Sequence, residues 1–456
     1  MIISRITSPR GPFPDTSEAE AFYWDMVSNS PNVSLEIYFD NIPTELTLTH
    51  LGRDLLEFAS ALYLADESLP RIAAVDHWTR DFAFDFAVHD PQQWQAASEF
   101  LANCLSFLSG DRYTFSWPRR RNLPRLVRHR STMRRSDIAR QPFDRICLFS
   151  GGVDSLLGAV SYLERGERVV LIGHYADNAT SAAQREIASA LQSRFPEKVA
   201  FLQFRIRRHR GEHRSVALPD KAEKSHRTRS FLFLSLATSV SHAFDIPRIA
   251  IPENGLIALN PPIELSRTGS LSTRTAHPIF LVRFLDAMRV LQAFRGELEN
   301  PFLFQSKTDM LRAAPSWSRT LLLRSVSCAR PTRYQDRHVR HCGYCVPCLY
   351  RRAAFVPAGY DRASDYAFDA FGSLSSLTNA LQADFRGLVR FARRVEKSRP
   401  AELSAIVLSH GYCGVAGMSL SPEGAGDWAG TGDRAAVLVN RKTPSSKATS
   451  SSAIGS

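Results

Sequence analysis

Ile146-Cys147-Leu148-Phe149-Ser150-Gly151-Gly152-Val153-Asp154-Ser155 is a short apolar run that leads directly into two glycines and a polar segment. A continuous apolar run of this length is typical of a strand that is buried on both faces of a parallel sheet. Two glycines after such a strand let the backbone turn tightly and approach a ligand without a Cβ clash. The stretch therefore predicts a strand, a tight loop and then a helix over residues 156–164.

The chain after this stretch alternates between apolar runs and segments of helical periodicity. We predict strands and helices in turn at Val169–Ile172, Ala182–Phe195, Val199–Phe204, Arg229–Phe244 and Arg248–Ile251. Such a β-α-β-α-β-α-β order predicts an α/β fold with a parallel sheet that is covered on both faces. We expect this domain to span residues 143–398.

The length of 456 residues favours two domains over one. We predict a small α+β domain over residues 1–118, because segments with strand and helix periodicity mix there. Residues 119–142 read as a basic linker, since residues 119–140 hold nine arginines and one acid, Asp137. Residues 411–456 are rich in glycine and then in Ser, Lys, Thr and Ala, so we expect a disordered tail.

The net charge of +12 favours nucleotides, nucleic acid or an acidic protein as partners through its long-range field. A solvated linker explains the arginine-rich segment equally well, so nucleic acid is only weakly supported. No run of 18 apolar residues is present, and the start of the chain lacks a secretory signal. We therefore expect a cytoplasmic protein without a membrane partner.

The loop Ser150-Gly151-Gly152-Val153-Asp154-Ser155 has the composition of a phosphate-binding site. The first N–H groups of the following helix point at an anion there, and the helix dipole adds to their attraction. Asp154 beside phosphates predicts an intervening Mg²⁺, because like charges would otherwise repel. The loop lacks the Gly-Lys-Ser/Thr of a Walker A loop and the Gly-x-Gly-x-x-Gly of a dinucleotide-binding fold.

Three cysteines, Cys342, Cys345 and Cys348, stand at C-x₂-C-x₂-C spacing, and Cys328 lies 14 positions upstream. Four thiolates can close a tetrahedral, structural Zn²⁺ site. The same spacing also suits an iron–sulfur cluster. We predict zinc, with the iron–sulfur cluster as the alternative.

The Ser-Gly-Gly-x-Asp-Ser loop resembles that of the N-type ATP pyrophosphatases, the adenine-nucleotide hydrolase-like (PP-loop) superfamily. Together with the cysteines, it resembles the QueC family, the 7-cyano-7-deazaguanine synthases, over residues 143–355. The resemblance implies an enzyme that uses ATP, Mg²⁺ and Zn²⁺ to adenylate a 7-deazaguanine carboxylate, releases AMP and pyrophosphate, and passes the acyl group to an amine. It assigns Asp154, Ser155, Lys307 and Arg229 to catalysis, and it assigns nucleotide binding to the loop and to Gly173 and His174.

The chain departs from that family in its length and in its N-terminal 140 residues, and the loop from Glu253 to His277 also differs. An enlarged chain of this kind resembles the QatC family of Qat anti-phage defence systems, which implies a partner protein from the same operon. The acceptor amine is then either ammonia or a protein. Residues that suit the substrate are Glu253 and Asn254 for its N–H groups and Arg267, Arg274 and His277 for a carboxylate or phosphate.

Two other functions stay open at the level of sequence. One is a PP-loop enzyme that modifies tRNA, which the basic linker supports weakly. The other is a nucleotide-binding component of a defence complex without catalytic activity. Retention of Asp154, Ser155 and Lys307 favours an enzyme over such a sensor.

Overall fold

The fold was analysed in a computed structural model of the chain. The structure describes residues 3–7, 21–23, 33–40, 48–120, 127–130, 142–175, 177–208, 223, 225–259, 274–333, 339–376, 378–399, 401–403 and 405. The predicted tail, most of the predicted linker and the candidate substrate residue Arg267 lie outside these residues.

The described part of the chain includes the following strands and α-helices. The strands are β1 Ile3–Thr7, β2 Ala21–Tyr23, β3 Val33–Asp40, β4 Asp81–Asp85, β5 Arg112–Ser116, β6 Val127–Arg130, β7 Arg145–Leu148, β8 Val169–His174, β9 Val199–Arg208, β10 Arg248–Ala250 and β11 Glu297–Glu299. The helices are α1 His50–Ser68, α2 Pro91–Ser109, α3 Val153–Glu164, α4 Asn178–Arg194, α5 Arg229–Phe244, α6 Gly255–Leu259, α7 Pro278–Val290, α8 Lys307–Ala313, α9 Arg319–Arg324, α10 Val346–Phe355 and α11 Asn379–Lys397.

The larger sheet contains seven strands in the order β11-β10-β7-β8-β9-β3-β6. The five strands from β11 to β9 are all parallel. This confirms the predicted α/β class with a parallel sheet and adds β11 as a fifth parallel strand. Strand β3 then joins the edge at β9 in antiparallel register, and β6 pairs with β3 in parallel.

Both faces of the parallel sheet are covered, which explains why its strands read as continuous apolar runs. Alternate residues of β8 point in opposite directions, so Val170 and Ile172 pack on one side and Val169 and Leu171 on the other. The first side carries α1, α2, α5 and α7, and the second side carries α3, α4, α8 and α9.

The N-terminal part of the chain shares its core with the parallel-sheet domain. A second, parallel sheet has the order β2-β1-β4-β5. Phe58 of α1 contacts Phe84 of this second sheet and also Phe231 of α5, so one apolar cluster spans both predicted domains. The division of the chain into a separate domain at residues 1–118 stays a prediction.

The described helices were also compared with the length and hydropathy that a membrane span requires. None of them is both long enough and apolar enough to cross a bilayer.

Helix α3 approaches the segment after β10 so closely that only glycine fits at position 158. A Cβ there would lie 2.3 Å from Cγ of Pro252. We expect Gly158→Ala to lower the free energy of unfolding by about 1–3 kcal/mol, because overpacking outweighs the better helix propensity of alanine. Chemical denaturation measures this change.

The matched control is Ser161→Ala, one turn further along α3, where the hydroxyl donates to the carbonyl of Gly158 within the helix at 2.8 Å. We expect this variant to stay within about 0.5 kcal/mol of the parent. A Gly158→Ala protein that is as stable as the control would contradict the close packing of α3 on Pro252.

Candidate active site and metal centre

The direction in which the chain winds through the parallel sheet changes between the neighbouring strands β7 and β10. Strand β7 lies between β8 and β10 in the sheet. The connection after β7 leads to β8 on one side of it, and the connection after β9 leads back to β10 on its other side. In open parallel sheets a crevice forms at such a point, outside the carboxyl ends of the strands, and ligands bind there. The predicted phosphate loop follows β7, and Glu253 and Asn254 follow β10, so both line this crevice.

The loop after β7 leaves the first amides of α3 open to a ligand. Gly151 has φ +78°, a left-handed conformation that suits glycine, and Gly152 is the N-cap of α3 without a side-chain cap. The hydroxyl of Ser155 donates to the carbonyl of Gly152 at 3.2 Å and lies 3.2 Å from the hydroxyl of Ser150. The loop thus combines uncapped N–H groups with two hydroxyls, which together suit an anion.

Asp154 lies in the first turn of α3 and is buried, with 6% of its surface exposed. One of its oxygens pairs with Nζ of Lys307. The other accepts hydrogen bonds from Nδ2 of Asn254 at 2.6 Å and from its backbone N–H at 3.2 Å. Three residues predicted from separate parts of the sequence therefore meet in one network.

Local structure places each partner of Asp154. Lys307 is the first residue of α8, whose N-terminus is fixed by a capping box between Ser306 and Asp309. Asn254 ends the segment after β10, and its side-chain oxygen accepts from the backbone N–H of Ile257 at 3.3 Å.

Burial, together with the nearby Asp154 carboxylate, raises the pKa of Glu253 to about 8. Glu253 therefore lies within the electrostatic influence of Asp154 and is mainly protonated at neutral pH.

Gln184 of α4 supports the loop, although nothing in the sequence analysis pointed to it. Its amide is buried and donates to the carbonyls of Ser150 at 3.2 Å and His174 at 3.3 Å. It also accepts from the amide of Gln203 at 2.7 Å. A Cβ on Gly173 would lie 2.7 Å from Oε1 of Gln184, so the absence of a side chain at Gly173 makes room for it.

His174 and Arg229 lie on the other face of the sheet from α3. The His174 ring is buried, and neither of its nitrogens has a hydrogen-bond partner within the described residues. Burial and the nearby Arg229 guanidinium lower the pKa of His174 to about 3, so its ring is neutral. Arg229 lies over the ring of Phe233 at 5.1 Å and makes no described contact with Asp154 or Lys307.

Arg274 and His277 pack against α2 in the described structure. Arg274 donates to the carbonyl of Phe107 at 2.5 Å and lies 4.1 Å from the centre of that ring. His277 is the N-cap of α7, where Nδ1 accepts from the N–H of Ile279 at 3.2 Å. These contacts are structural, and a substrate role for Arg274 and His277 stays a prediction.

The sulfurs of Cys328, Cys342, Cys345 and Cys348 all lie within 4.8 Å of one another and are buried. The Cys328–Cys345 and Cys342–Cys348 sulfur pairs are 4.0 and 3.8 Å apart. A tetrahedral ion with Zn–S bonds of about 2.3 Å places its ligands about 3.8 Å apart.

This geometry fits a single metal ion such as zinc. In an iron–sulfur cluster the thiolates bind different irons, so their sulfurs stand around the cluster and do not converge on one point. Backbone N–H groups also point at the sulfurs, with Cys342 donating to Cys328 at 3.4 Å and Cys345 donating to Cys342 at 3.4 Å. Such bonds stabilise the thiolate form that a metal requires.

The cysteine cluster is tied to the phosphate loop through a short segment. The N–H of Val326 donates to the carbonyl of Gly151 at 2.9 Å, and Cys328 follows only two residues later. The buried Arg351 of α10 donates to Oγ of Ser325 at 2.8 Å and to the carbonyl of Leu322 at 3.0 Å. The cysteine cluster and α10 therefore hold one wall of the crevice in place.

Comparison of the chain with protein-family models and with curated proteins gave no match. The site is therefore interpreted from its own residues and geometry.

Gln184→Leu tests the support of the loop, because it keeps the side-chain volume but removes the amide. The buried carbonyl of His174 and the partly buried carbonyl of Ser150 then lose their donor, so we expect a loss of about 1–3 kcal/mol in the free energy of unfolding. Gln192→Leu in the same helix is the control, since its amide nitrogen is buried and has no partner. Denaturation curves of equal stability for the two variants would contradict the role of Gln184.

The metal centre is tested by elemental analysis of the full chain. We expect about one zinc per chain, and a clear loss of zinc and of thermal stability in Cys345→Ser, since zinc binding in small sites contributes on the order of 10 kcal/mol. Cys104→Ala removes a buried thiol from a different cluster and should retain the metal. Stoichiometric iron, or full zinc in Cys345→Ser, would exclude the proposed site.

Proposed function

We propose that the chain is an ATP-dependent enzyme that adenylates the carboxylate of a 7-deazaguanine and transfers the acyl group to an amine. The observation that carries this proposal is the Asp154–Lys307 pair beside the uncapped N-terminus of α3, at the crossing point of the sheet. An anion site, a buried carboxylate and a lysine within reach of each other are the components that cleavage between two phosphates requires.

The first step forms a bond between a carboxylate oxygen and the α-phosphorus of ATP. The bond from that phosphorus to the bridging oxygen breaks, and pyrophosphate leaves with the electron pair. The open N–H groups of α3, the hydroxyls of Ser150 and Ser155 and the charge of Lys307 stabilise the developing negative charge. The product is an acyl-adenylate.

Asp154, together with Glu253 once it has lost its proton, fits a hard cation, because carboxylate oxygens are the ligands that Mg²⁺ prefers. Bound there, Mg²⁺ would neutralise charge on the phosphates of the nucleotide. Until then, Lys307 and Asn254 keep the Asp154 carboxylate fully paired.

The second step transfers the acyl group. An amine attacks the acyl carbon, AMP leaves with the oxygen that came from the carboxylate, and the amine loses a proton to give an amide. With ammonia, the amide oxygen is adenylated by a second ATP with release of pyrophosphate, and loss of AMP and of both amide protons then gives a nitrile. A protein amine gives a deazaguanine–protein conjugate instead.

The N-terminal residues motivate the protein as acceptor and a role in anti-phage defence. They pack tightly on the parallel-sheet domain through α1 and α2, and a small amine such as ammonia would need no such additional surface. We therefore propose a partner protein from the same operon as the acyl acceptor. Mass spectrometry of the partner after reaction distinguishes a conjugate from a free nitrile.

One observation weighs against thiolation of tRNA as the function. Cys147 lies in β7 directly before the phosphate loop, but it is fully buried, and burial raises the pKa of its thiol to about 12. A thiol in that state is a poor nucleophile at neutral pH.

A sensor without catalytic activity would bind ATP and form no AMP.

The proposal predicts that ATP is converted to AMP and pyrophosphate when the deazaguanine carboxylate is present. We expect Lys307→Ala and Asp154→Asn each to lower the rate of AMP formation by about 10²–10³-fold, because the first removes a positive charge from the site of pyrophosphate release and the second removes a carboxylate proposed to hold Mg²⁺ there. Chromatography of the nucleotides measures both the rate and the product.

Lys198→Ala is the control. Lys198 directly precedes β9 and so lies at the amino ends of the parallel strands, whereas the crevice lies at their carboxyl ends. It should form AMP at the rate of the parent. Formation of ADP instead of AMP, or an unchanged rate in Asp154→Asn, would refute the proposed reaction. Circular dichroism of each variant confirms that it is folded.

A further inference from the structure

Helix α11 presents a row of positive charges that the proposed reaction does not use. Five exposed basic residues, here called the basic stripe, are Arg386, Arg390, Arg393, Arg394 and Lys397. At 3.6 residues per turn their positions fall within an arc of about 100° on one side of the helix. The stripe is about 16 Å long, at 1.5 Å per residue.

The opposite side of α11 fixes the helix on the protein. Phe385 and Leu388 pack against the cluster formed by the four cysteines and Leu349, and Phe385 also contacts the ring of Phe371 at 5.9 Å. The apolar side is therefore buried against the metal centre, and the basic stripe must face solvent. A helix held in this way presents its charges in a fixed row.

The stripe lacks counter-charges among the residues that the structure describes. No carboxylate of the described residues pairs with any of its five members, and Arg386 bonds instead to the neutral side chain of Gln382 at 2.6 Å. The acids of the helix, Asp384 and Glu396, lie outside the arc of the stripe. Surface arginines that only solubilise a protein are usually mixed with acids, so an uncompensated row favours a polyanionic partner.

Four of the five residues are arginines, whose planar guanidinium groups match phosphate oxygens. The described exposed surface of the stripe carries no aromatic ring on which an unpaired base could stack, because Phe391 lies outside the arc and is half-buried. Single-stranded nucleic acid is therefore a poorer match than a duplex. A-form RNA recognition relies on contacts across a shallow groove, whereas a straight rigid row suits the regular phosphates of B-form DNA.

We propose that the basic stripe of α11 binds the phosphate backbone of double-stranded DNA without reading its sequence. This function is independent of the proposed reaction, since no member of the stripe belongs to the phosphate loop or to the Asp154 network. The contacts are electrostatic, so the affinity must fall steeply as the salt concentration rises.

The test is fluorescence anisotropy with the full chain and two 20-base-pair duplexes of unrelated sequence, at several salt concentrations. The variant Arg390→Gln/Arg393→Gln/Arg394→Gln should lower the magnitude of the slope of log K against log salt by about 3, close to one per lost phosphate contact. At 0.15 M salt we expect a loss of affinity on the order of a hundredfold, equal for both duplexes.

The matched control, Arg112→Gln/Arg289→Gln/Arg295→Gln, removes the same charge from exposed arginines elsewhere and should keep the slope of the parent. Equal slopes for the parent and the α11 variant would overturn the proposal. So would tighter stripe-dependent binding of single-stranded DNA, duplex RNA, polyglutamate or vesicles containing phosphatidylserine. AMP formation by the α11 variant should match the parent, which separates this result from the fate of the proposed reaction.

Discussion

The crossing of the chain between β7 and β10 is the constraint on which the candidate site depends. Because the connections after β7 and β9 lead to opposite sides, the carboxyl ends of β7 and β10 border an open crevice. Three separate segments enter this crevice: the phosphate loop and α3 after β7, the segment of Asn254 after β10, and the start of α8 after β11.

Charge pairing then holds the three segments together. A buried carboxylate without a partner costs several kcal/mol, so Asp154 on α3 requires the nearby Lys307 of α8 and Asn254 after β10. The arrangement is ready for a ligand before one binds, which reduces the reorganisation that the reaction needs. The cysteine cluster supports the same crevice from the side, through the bond between Val326 and the loop carbonyl of Gly151.

Much of this site could be predicted from the sequence, for physical reasons that act locally. The apolar run before Ser150 and the two glycines after it predict a buried strand and a tight turn, and the cysteine spacing predicts a metal site. Gln184 could not be predicted, because a glutamine in an amphipathic helix looks like a surface residue until the fold buries it between Ser150 and His174.

The antiparallel addition of β3 beside β9 was also beyond the sequence analysis. Strand pairing between residues about 165 positions apart is set by the edge that the parallel sheet leaves open, and hydrophobic periodicity does not report it. The contacts of Arg274 and His277 with α2 arise in the same way, because the predicted domains share a core. Local sequence patterns therefore predict the helices, the strands and the kinds of ligand, whereas long-range packing decides which segments come into contact.

The central claim is that a carboxylate oxygen attacks the α-phosphorus of ATP in the crevice beside Asp154 and Lys307. The most direct test uses a deazaguanine carboxylate labelled with ¹⁸O, followed by mass spectrometry of the nucleotide product. The proposed reaction yields AMP that carries one ¹⁸O atom, since AMP leaves with the carboxylate oxygen when the amine attacks. Unlabelled AMP, or ADP as the product, would contradict it.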